Sequence, residues 1–145
     1  MLERAISLRQ PWASLMAHGH KRIENRSWPT KFEGPLLIHA SSWWRREEIE
    51  RDWALSLSIL ENAGLASPSF GMDEMRAARG GVIGRMTVTG CLAESDDPFF
   101  FGPYGFPTRD AHALDRVVAC RGMLGIFAVP KDVAQACHDL MGDVE

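Results

Sequence analysis

The 145-residue sequence is poor in cysteine, has a single tyrosine and contains no long apolar segment. Its three cysteines, Cys91, Cys120 and Cys137, are odd in number and widely spaced, and none forms a Cys-x-x-Cys pair. This pattern disfavours a disulfide framework and a structural zinc site, and it predicts reduced thiols. Because no long apolar run is present, we expect neither a secretory signal nor a membrane span, and a cytoplasmic location is the simplest expectation.

Several signatures of well-known enzyme classes are also missing. The sequence has no glycine-rich phosphate loop of the Walker type, and no Ser-His-Asp or Cys-His arrangement can be argued from it. The histidines give no convergent metal-binding pattern, and Glu24 with His39 is only a pair. We therefore expect no permanently bound metal and no other cofactor, while a transient magnesium ion stays open for a nuclease.

The net charge of −3 ordinarily disfavours nucleic-acid binding, but the charge is unevenly distributed. Residues 1–51 hold nine Lys/Arg and six Asp/Glu, a balance of +3, whereas the remainder holds seven and thirteen, a balance of −6. A non-specific protein that wraps long duplexes is disfavoured, because its affinity needs many phosphate contacts. A pocket that holds a single nucleotide needs far fewer, and the basic part of the chain can supply them.

Length and apolar patterning predict one domain over residues 1–145 with short strands and several helices. Strands are predicted at residues 5–8, 22–28, 34–40, 82–92, 113–119 and 124–129. Helices are predicted between Pro11 and Gly19, over 45–62 after a cap at Ser41 or Ser42, around 73–78, and from Asp132 onward. Residues 95–112 are rich in proline, glycine and phenylalanine, and we expect them to form a long loop that folds over the sheet.

The segment from Gly19 to Thr30 concentrates chemically different side chains. Gly19 can end a helix in the left-handed conformation, which makes Lys21 the first side chain after the turn. Glu24 is close enough along the chain to pair with Lys21, and Arg26 offers a planar fork suited to a phosphate or a base edge. Taken alone, Gly-x-Lys-x-x-Glu is more often a solvated turn with surface charges.

The neighbouring segments make the pattern more specific. Together, residues 6–12 (ISLRQPW), 19–26 (GHKRIENR) and 34–41 (GPLLIHAS) resemble the ASCH family, an RNA-associated branch of the PUA-like β-barrels. Residues 81–84, 102–106 and 121–127 follow in the order that this resemblance requires, so it spans about residues 4–130. The resemblance implies an α+β fold, a small mixed β-barrel flanked by helices. The C-terminal helix over residues 131–145 lies outside the family pattern and is predicted from its apolar spacing alone.

We predict a binding module for single-stranded RNA or a modified nucleoside, with a cleft beside Lys21 that is bordered by residues 39–45 and the aromatic loop near Tyr104. Such a site needs cations for phosphate, flat rings for stacking and polar groups for the base edge. The candidate binding residues are Arg9, Gln10, Trp12, Lys21, Arg26, Trp28, His39, Ser41, Trp43, Arg45 and Tyr104. Packing in the core is an equally ordinary role for the tryptophans and for His39.

Hydrolysis is the alternative function. Some ASCH proteins are amidohydrolases that remove an acyl group from the N4 nitrogen of cytidine, and others are assigned single-strand ribonuclease activity, so the resemblance implies Lys21 and Glu24 as catalytic candidates. The amidohydrolase branch has a threonine at the position of Glu24. Glu24 can act as a base, or it can hold Lys21 charged and suppress base chemistry. A protein-interaction role for the acidic remainder and the last helix, the oligomeric state and the ligand's identity stay open.

Overall fold

Six strands and four helices build residues 1–142, the part of the chain that the structure, a computed structural model, describes. The strands are β1 (Arg4–Leu8), β2 (Ile23–Arg26), β3 (Gly34–Ala40), β4 (Gly81–Val88), β5 (Tyr104–Ala119) and β6 (Ile126–Ala128). The helices are α1 (Trp12–Ala17), α2 (Arg46–Asn62), α3 (Met72–Ala77) and α4 (Lys131–Met141). In residues 1–142, none of the four helices combines the length and the apolar character that a membrane-spanning helix needs.

The strands form one curled sheet in the order β2-β5-β4-β3-β1-β6. β1 runs parallel to β3, while the other neighbouring strands are antiparallel. The sheet curls into a half-barrel with helices beside it, which confirms the predicted mixed, PUA-like α+β architecture. β1 and β2 are not neighbours in the sheet, and the space between them is where the candidate site lies.

Alternating side chains of the strands supply a hydrophobic core on each face of the sheet. A third, smaller cluster consists of Leu15, Ile23, Leu60 and Phe99. The core on the face of α1 includes Ile6, Leu36, Ile38, Met86 and the helix residue Met16. The core on the face of α4 includes Ala5, Leu37, Val82, Phe127 and the helix residues Val133 and Cys137. α1 and α4 therefore pack on opposite faces of the sheet, and the turn after α1 is hydrogen-bonded to that helix through the Leu15 carbonyl.

The expected loop over residues 95–112 is wrong for its second half, because β5 already begins at Tyr104 and runs for 16 residues. The first part of β5 pairs with β2, as in Arg26 opposite Tyr104, and the rest pairs with β4. Partners on both sides outweigh the turn-like composition around Gly105 and Pro107. β4 in turn ends at Val88, and Leu92 makes only an isolated bridge to Gly105.

The predicted cap of α2 at Ser41 or Ser42 is also wrong, since α2 begins after Arg45. The Ser41 hydroxyl instead accepts a hydrogen bond from the Trp43 backbone N–H at 3.1 Å. The predicted helix over residues 45–62 is confirmed, and it buries Ile49 and Leu60. α4 confirms the predicted C-terminal helix through Met141, and residues 143–145 of that prediction lie outside the described residues.

Candidate functional site

A cleft of about 330 Å³ opens between β1 and β2. We call it the first cleft, and its lining residues are Ser7, Leu8, Arg9, Trp12, Lys21, Glu24, Asn25, Arg26 and Phe101. The structure thus brings five predicted site residues together here, namely Arg9, Trp12, Lys21, Glu24 and Arg26. The aromatic loop contributes Phe101, while the predicted Tyr104 is the first residue of β5 and does not line the cleft.

The turn after α1 delivers Lys21 to this cleft. Gly19 has φ +78°, a left-handed conformation that residues with a Cβ rarely adopt. The chain therefore folds back over the end of the helix, where the backbone N–H groups of His20 and Lys21 both donate to the Leu15 carbonyl at 2.9 and 3.1 Å. This reversal points the lysine inward, and Lys21 is only 2% exposed.

Protein groups replace water around the Lys21 ammonium. Its Nζ donates to the carbonyl of Ile23, contacts the Met16 sulfur at 4.0 Å and lies 3.7 Å from Oε1 of Glu24. The ring centroid of Trp12 lies 5.6 Å from the same nitrogen, within the range of a cation–π contact. The position of the amine is therefore fixed from several sides at the wall of the cleft.

Burial has the largest effect on the protonation of Lys21. It lowers the pKa of Lys21 below the ordinary 10.5, because a charged ammonium loses its hydration there. The carboxylates of Glu24 and Asp97 act in the opposite direction and raise this pKa, while the nearby Arg26 lowers it. The lysine consequently releases its proton more readily than an exposed lysine does, but the neighbouring acids limit this effect.

Arg26 connects the two strands that flank the cleft. Its Nε donates to Oε2 of Glu24 at 2.8 Å, and its Nη2 donates to the backbone carbonyl of Ser7 in β1, also at 2.8 Å. Glu24 and Arg26 are two residues apart in β2, so their side chains project from the same face of the strand. These contacts use two of the five guanidinium N–H groups and hold the fork in a fixed orientation.

Aromatic rings form the remaining walls. Trp12 and Phe101 meet edge to face with centroids 5.9 Å apart, and Phe101 is half exposed. The Arg9 guanidinium lies over the Trp43 ring at 4.2 Å from its centroid. Asn25 fixes the aromatic loop, because its side chain donates to the Phe99 carbonyl and accepts from the Phe101 backbone N–H. The cleft therefore combines flat apolar faces with fixed charged groups.

A larger cleft of about 810 Å³ adjoins the first. We call it the second cleft; it shares Ser7, Leu8, Arg9 and Arg26 with the first cleft, and its other lining residues are His39, Ser41, Ser42, Gly80 and residues 120–125. The two clefts meet along β1. The predicted residues His39 and Ser41 thus belong to the second cleft and not to the first.

His39 is held by two hydrogen bonds at the floor of the second cleft. Ser7 and His39 face each other across the parallel β1–β3 pair, and the Ser7 hydroxyl lies 2.8 Å from Nδ1. Nε2 lies 2.7 Å from the Cys120 carbonyl, which only accepts, so Nε2 carries the proton and Nδ1 accepts from Ser7. Burial lowers the pKa of His39, and the Cys120 contact partly opposes this.

The other predicted binding residues line neither cleft. Gln10 is buried and bonds to Ser14 and to the carbonyl of Ala78. Trp28 packs against Phe106 with ring centroids 5.3 Å apart. Arg45 is exposed and pairs with Glu48. The ring of Tyr104 is half-buried and packs against the core beside α1, and the ring of Trp43 lies beneath the Arg9 guanidinium.

Sequence reasoning missed Ser7, Asn25, Phe101 and Arg121 as lining residues. Asn25 lies between Glu24 and Arg26 in β2, and Ser7 lies two residues before Arg9, but nothing in their residue types distinguishes them from structural positions. Arg121 lies about a hundred residues from Lys21 in the chain, and only the folding of the sheet brings its loop to the second cleft. Among the described residues, no group of three or more His, Cys, Asp or Glu is arranged to hold a metal ion.

Comparison with known proteins places this geometry in a family. A model of the ASCH domain matches residues 6–100, which contain the last three residues of β1, the Lys21 turn and the strands β2 to β4. The chain belongs to the ASCH domain family. The match covers the residues on which the predicted resemblance rested most strongly, whereas one domain across residues 1–145 stays a prediction.

Curated relatives of this ASCH domain are much longer proteins. Activating signal cointegrator 1 from Homo sapiens is 28% identical over 109 residues, covering 66% of this chain and 18% of that protein. The Mus musculus protein of the same name is 53% identical over 36 residues, covering 25% of this chain and 6% of that protein. The chain thus spans less than a fifth of the length of these relatives.

Solved structures support the fold of this ASCH domain. A tyrosine-to-phenylalanine variant of the ASCH protein from Zymomonas mobilis aligns with a TM-score of 0.52 at 15% identity, covering 97% of this chain and 99% of that one. A serine-to-alanine variant of the same protein aligns with a TM-score of 0.51 at 15% identity, covering 95% of each chain. At this identity the likeness extends to the fold alone.

Proposed function

We propose that this ASCH domain binds single-stranded RNA or a modified nucleobase and holds one base in the first cleft beside Lys21. One observation carries the proposal: Lys21, Glu24 and Arg26 form a buried, connected charge cluster in the wall of a cleft that also presents Trp12 and Phe101. ASCH domains generally bind RNA, which supports the same function.

The chemistry of the wall suits a base. Unpaired bases are recognised by stacking on aromatic side chains and by hydrogen bonds to their edges. Phe101 and Trp12 offer the rings, while the remaining donors of Arg26 and the carboxylate of Glu24 can pair with acceptor and donor groups of a base edge. The volume of about 330 Å³ is near the lower end for ligand pockets and suits one planar group.

The charge distribution argues for a short contact with the RNA backbone. The net charge of −3 opposes long-range attraction of a polyanion, so affinity must come from the cations at the clefts. For single strands, the logarithm of the affinity falls with the logarithm of the salt concentration with a slope of about −0.7 per neutralised phosphate. We expect a shallow salt slope that corresponds to only a few phosphate contacts.

Binding of a fluorescently labelled single-stranded RNA, measured by anisotropy, tests the proposal. Lys21→Met keeps most of the side-chain volume but removes the ammonium, and Lys31→Met is the matched control because Lys31 is exposed and lines neither cleft. We expect the Lys21 variant to weaken binding about tenfold or more, equivalent to roughly 1.4 kcal/mol, with the control unchanged. Equal dissociation constants for a folded Lys21→Met and the wild type would remove the proposal.

A hydrolase acting on acylated cytidine or on RNA is the second candidate, favoured by the buried Lys21 whose pKa burial lowers. A lysine that loses its proton readily can deprotonate water or a hydroxyl. Glu24 can then receive or return that proton, although it also raises the pKa of Lys21. Incubation of the protein with N4-acetylcytidine, and separately with labelled RNA with and without magnesium, distinguishes the two functions. Turnover that Lys21→Met abolishes favours the hydrolase. Binding of the RNA without formation of product favours the binding module.

A further inference from the structure

We infer that the second cleft holds the nucleotide next to the one in the first cleft, so that the ligand is an RNA chain of two or more linked nucleotides rather than a free nucleoside. This inference rests on the proposed function of the first cleft. It adds a second binding position, a direction of exit for the strand and a place for the connecting phosphate.

The shared wall of the two clefts locates that phosphate. Any ligand that extends from one cleft to the other passes Ser7, Leu8, Arg9 and Arg26, which line both. Two of these four residues are arginines, and guanidinium groups pair with phosphate through two parallel N–H donors. The phosphodiester is the anionic part of an RNA chain, and it lies between successive nucleosides. When a base occupies the first cleft, the sugar-phosphate backbone of its nucleotide therefore lies at the wall that the two clefts share.

The charge of the second cleft matches a polyanion. Arg9, Arg26 and Arg121 line it, and no aspartate or glutamate is among its lining residues. The chain as a whole carries more acidic than basic residues, so this concentration of positive charge is specific to the cleft. The first cleft contains one acid, Glu24, and Arg26 already bonds to it. The two clefts thus form a continuous path whose open end is positively charged.

Two of the arginines are held in place before any ligand binds. Arg9 lies over the Trp43 ring at 4.2 Å, and Arg26 bonds to Glu24 and to the Ser7 carbonyl. A side chain that is already ordered loses less conformational entropy on binding. These arginines can therefore contribute more affinity for the connecting phosphate than mobile surface arginines do.

The size and outer wall of the second cleft suit a nucleotide that is held with little base selectivity. Its volume of about 810 Å³ is more than twice that of the first cleft. Gly122 allows the loop of residues 120–125 to approach His39 at the floor of the second cleft, because a Cβ on residue 122 would lie only 2.7 Å from Cε1 of His39. The loop then presents Met123 and Leu124, which are 62% and 98% exposed, as apolar surface beside the cleft.

Dissociation constants from isothermal titration calorimetry with four probes test the inference. The probes are uridine, uridine 3′-monophosphate, uridine 5′-monophosphate and the dinucleotide UpU. Arg121→Gln alters only the second cleft, and Arg116→Gln is the matched control because Arg116 is exposed on β5 and lines neither cleft. We expect UpU to bind about tenfold more tightly than uridine. We expect one monophosphate to recover part of this gain, which identifies the side of the sugar that faces Arg9 and Arg26.

Arg121→Gln should remove most of the advantage of UpU, a loss of about three- to tenfold, while the affinity for uridine and the behaviour of Arg116→Gln stay unchanged. Equal affinities for UpU and uridine, with no effect of Arg121→Gln, would overturn the inference. If Lys21→Met still weakens every probe in that case, the proposed function of the first cleft stands without the second. If Lys21→Met weakens none of them, the proposed function fails, whatever Arg121→Gln does.

Discussion

Nζ of Lys21 lies 3.7 Å from Oε1 of Glu24, and both residues are buried beside the first cleft. A buried charge that loses its partner is strongly unfavourable, because water cannot replace the lost interaction. Arg26 extends this pair to β1 through its bond to the Ser7 carbonyl. The charged residues of the cleft therefore act as one unit, and a change in one of them is transmitted to the others.

The first prediction concerns the alkaline pH dependence of stability. Burial lowers the pKa of Lys21 below 10.5, so between the lowered value and 10.5 the folded chain binds fewer protons than the unfolded chain. The contribution of Lys21 to the free energy of unfolding therefore rises with pH across this window. Urea unfolding of wild type and Lys21→Met at several alkaline pH values measures it. We expect the free energy of unfolding of the wild type to rise with pH relative to that of the variant. If the difference between the two free energies stayed constant or fell, burial would not shift the protonation of Lys21.

The second prediction concerns His39. Its lowered pKa means that the neutral ring is favoured in the folded state, so its contribution to stability is fully present above 6.5 and is lost as the pH falls through the lowered folded value. His39→Asn should therefore lose less stability than the wild type between neutral and mildly acidic pH. His18 and His20, whose pKa values are also lowered, remain in both proteins and cancel in the comparison. Parallel losses in the two proteins would contradict the assignment.

The third prediction separates stacking from packing at the cleft. Phe101 is 51% exposed, so Phe101→Ala should change stability little, whereas loss of a stacked base costs about 1–3 kcal/mol of binding free energy. Leu65→Ala is the control, because Leu65 is equally exposed and lies outside both clefts. Anisotropy titrations with labelled single-stranded RNA give the comparison. Equal affinity for both variants would exclude Phe101 as a stacking surface.

The fourth prediction concerns Gln10, which the sequence suggests as a base contact. Its side chain bonds to the hydroxyl and backbone N–H of Ser14 and to the Ala78 carbonyl, all inside the protein. Gln10→Ala leaves buried polar groups without these bonds and should cost about 1–3 kcal/mol of stability. Gln135→Ala removes only an exposed bond to Asp139 and should have almost no effect. The RNA affinity of the folded Gln10 variant should match that of the wild type. A loss of RNA binding without a loss of stability would show that Gln10 contacts the RNA.

Local sequence features predict much of this fold. They fail where a strand forms only because it pairs with strands that are far away in the sequence. β3 is predicted with its observed ends because a buried apolar run lies between turn residues. Residues 104–112 are misassigned because Gly105 and Pro107 are typical of loops, whereas the strand forms through its pairing with β2 and β4. Such partners lie far away in the sequence, and local propensity cannot register them.

The site shows the same division. Glu24 is predicted to be close enough along the chain to pair with Lys21, and the two side chains lie 3.7 Å apart. The solvated turn that the Gly-x-Lys-x-x-Glu pattern favours when taken alone is not observed, because Lys21 is buried. The predicted border of the cleft over residues 39–45 lines the second cleft through His39, Ser41 and Ser42, but the contribution of the loop around Arg121 is not predicted. Trp28 and Gln10 illustrate the opposite error, because ring stacking and amide hydrogen bonds serve the protein interior as well as a ligand.

Photo-cross-linking tests the central claim most directly, because it reports where the base lies. Single-stranded RNA containing 4-thiouridine is irradiated with the protein, and the modified residues are identified by mass spectrometry. The proposed binding mode predicts adducts on Trp12 or Phe101, which Lys21→Met reduces and Lys31→Met does not. Adducts confined to surfaces remote from both clefts, such as α4, at an RNA concentration that saturates binding would contradict it.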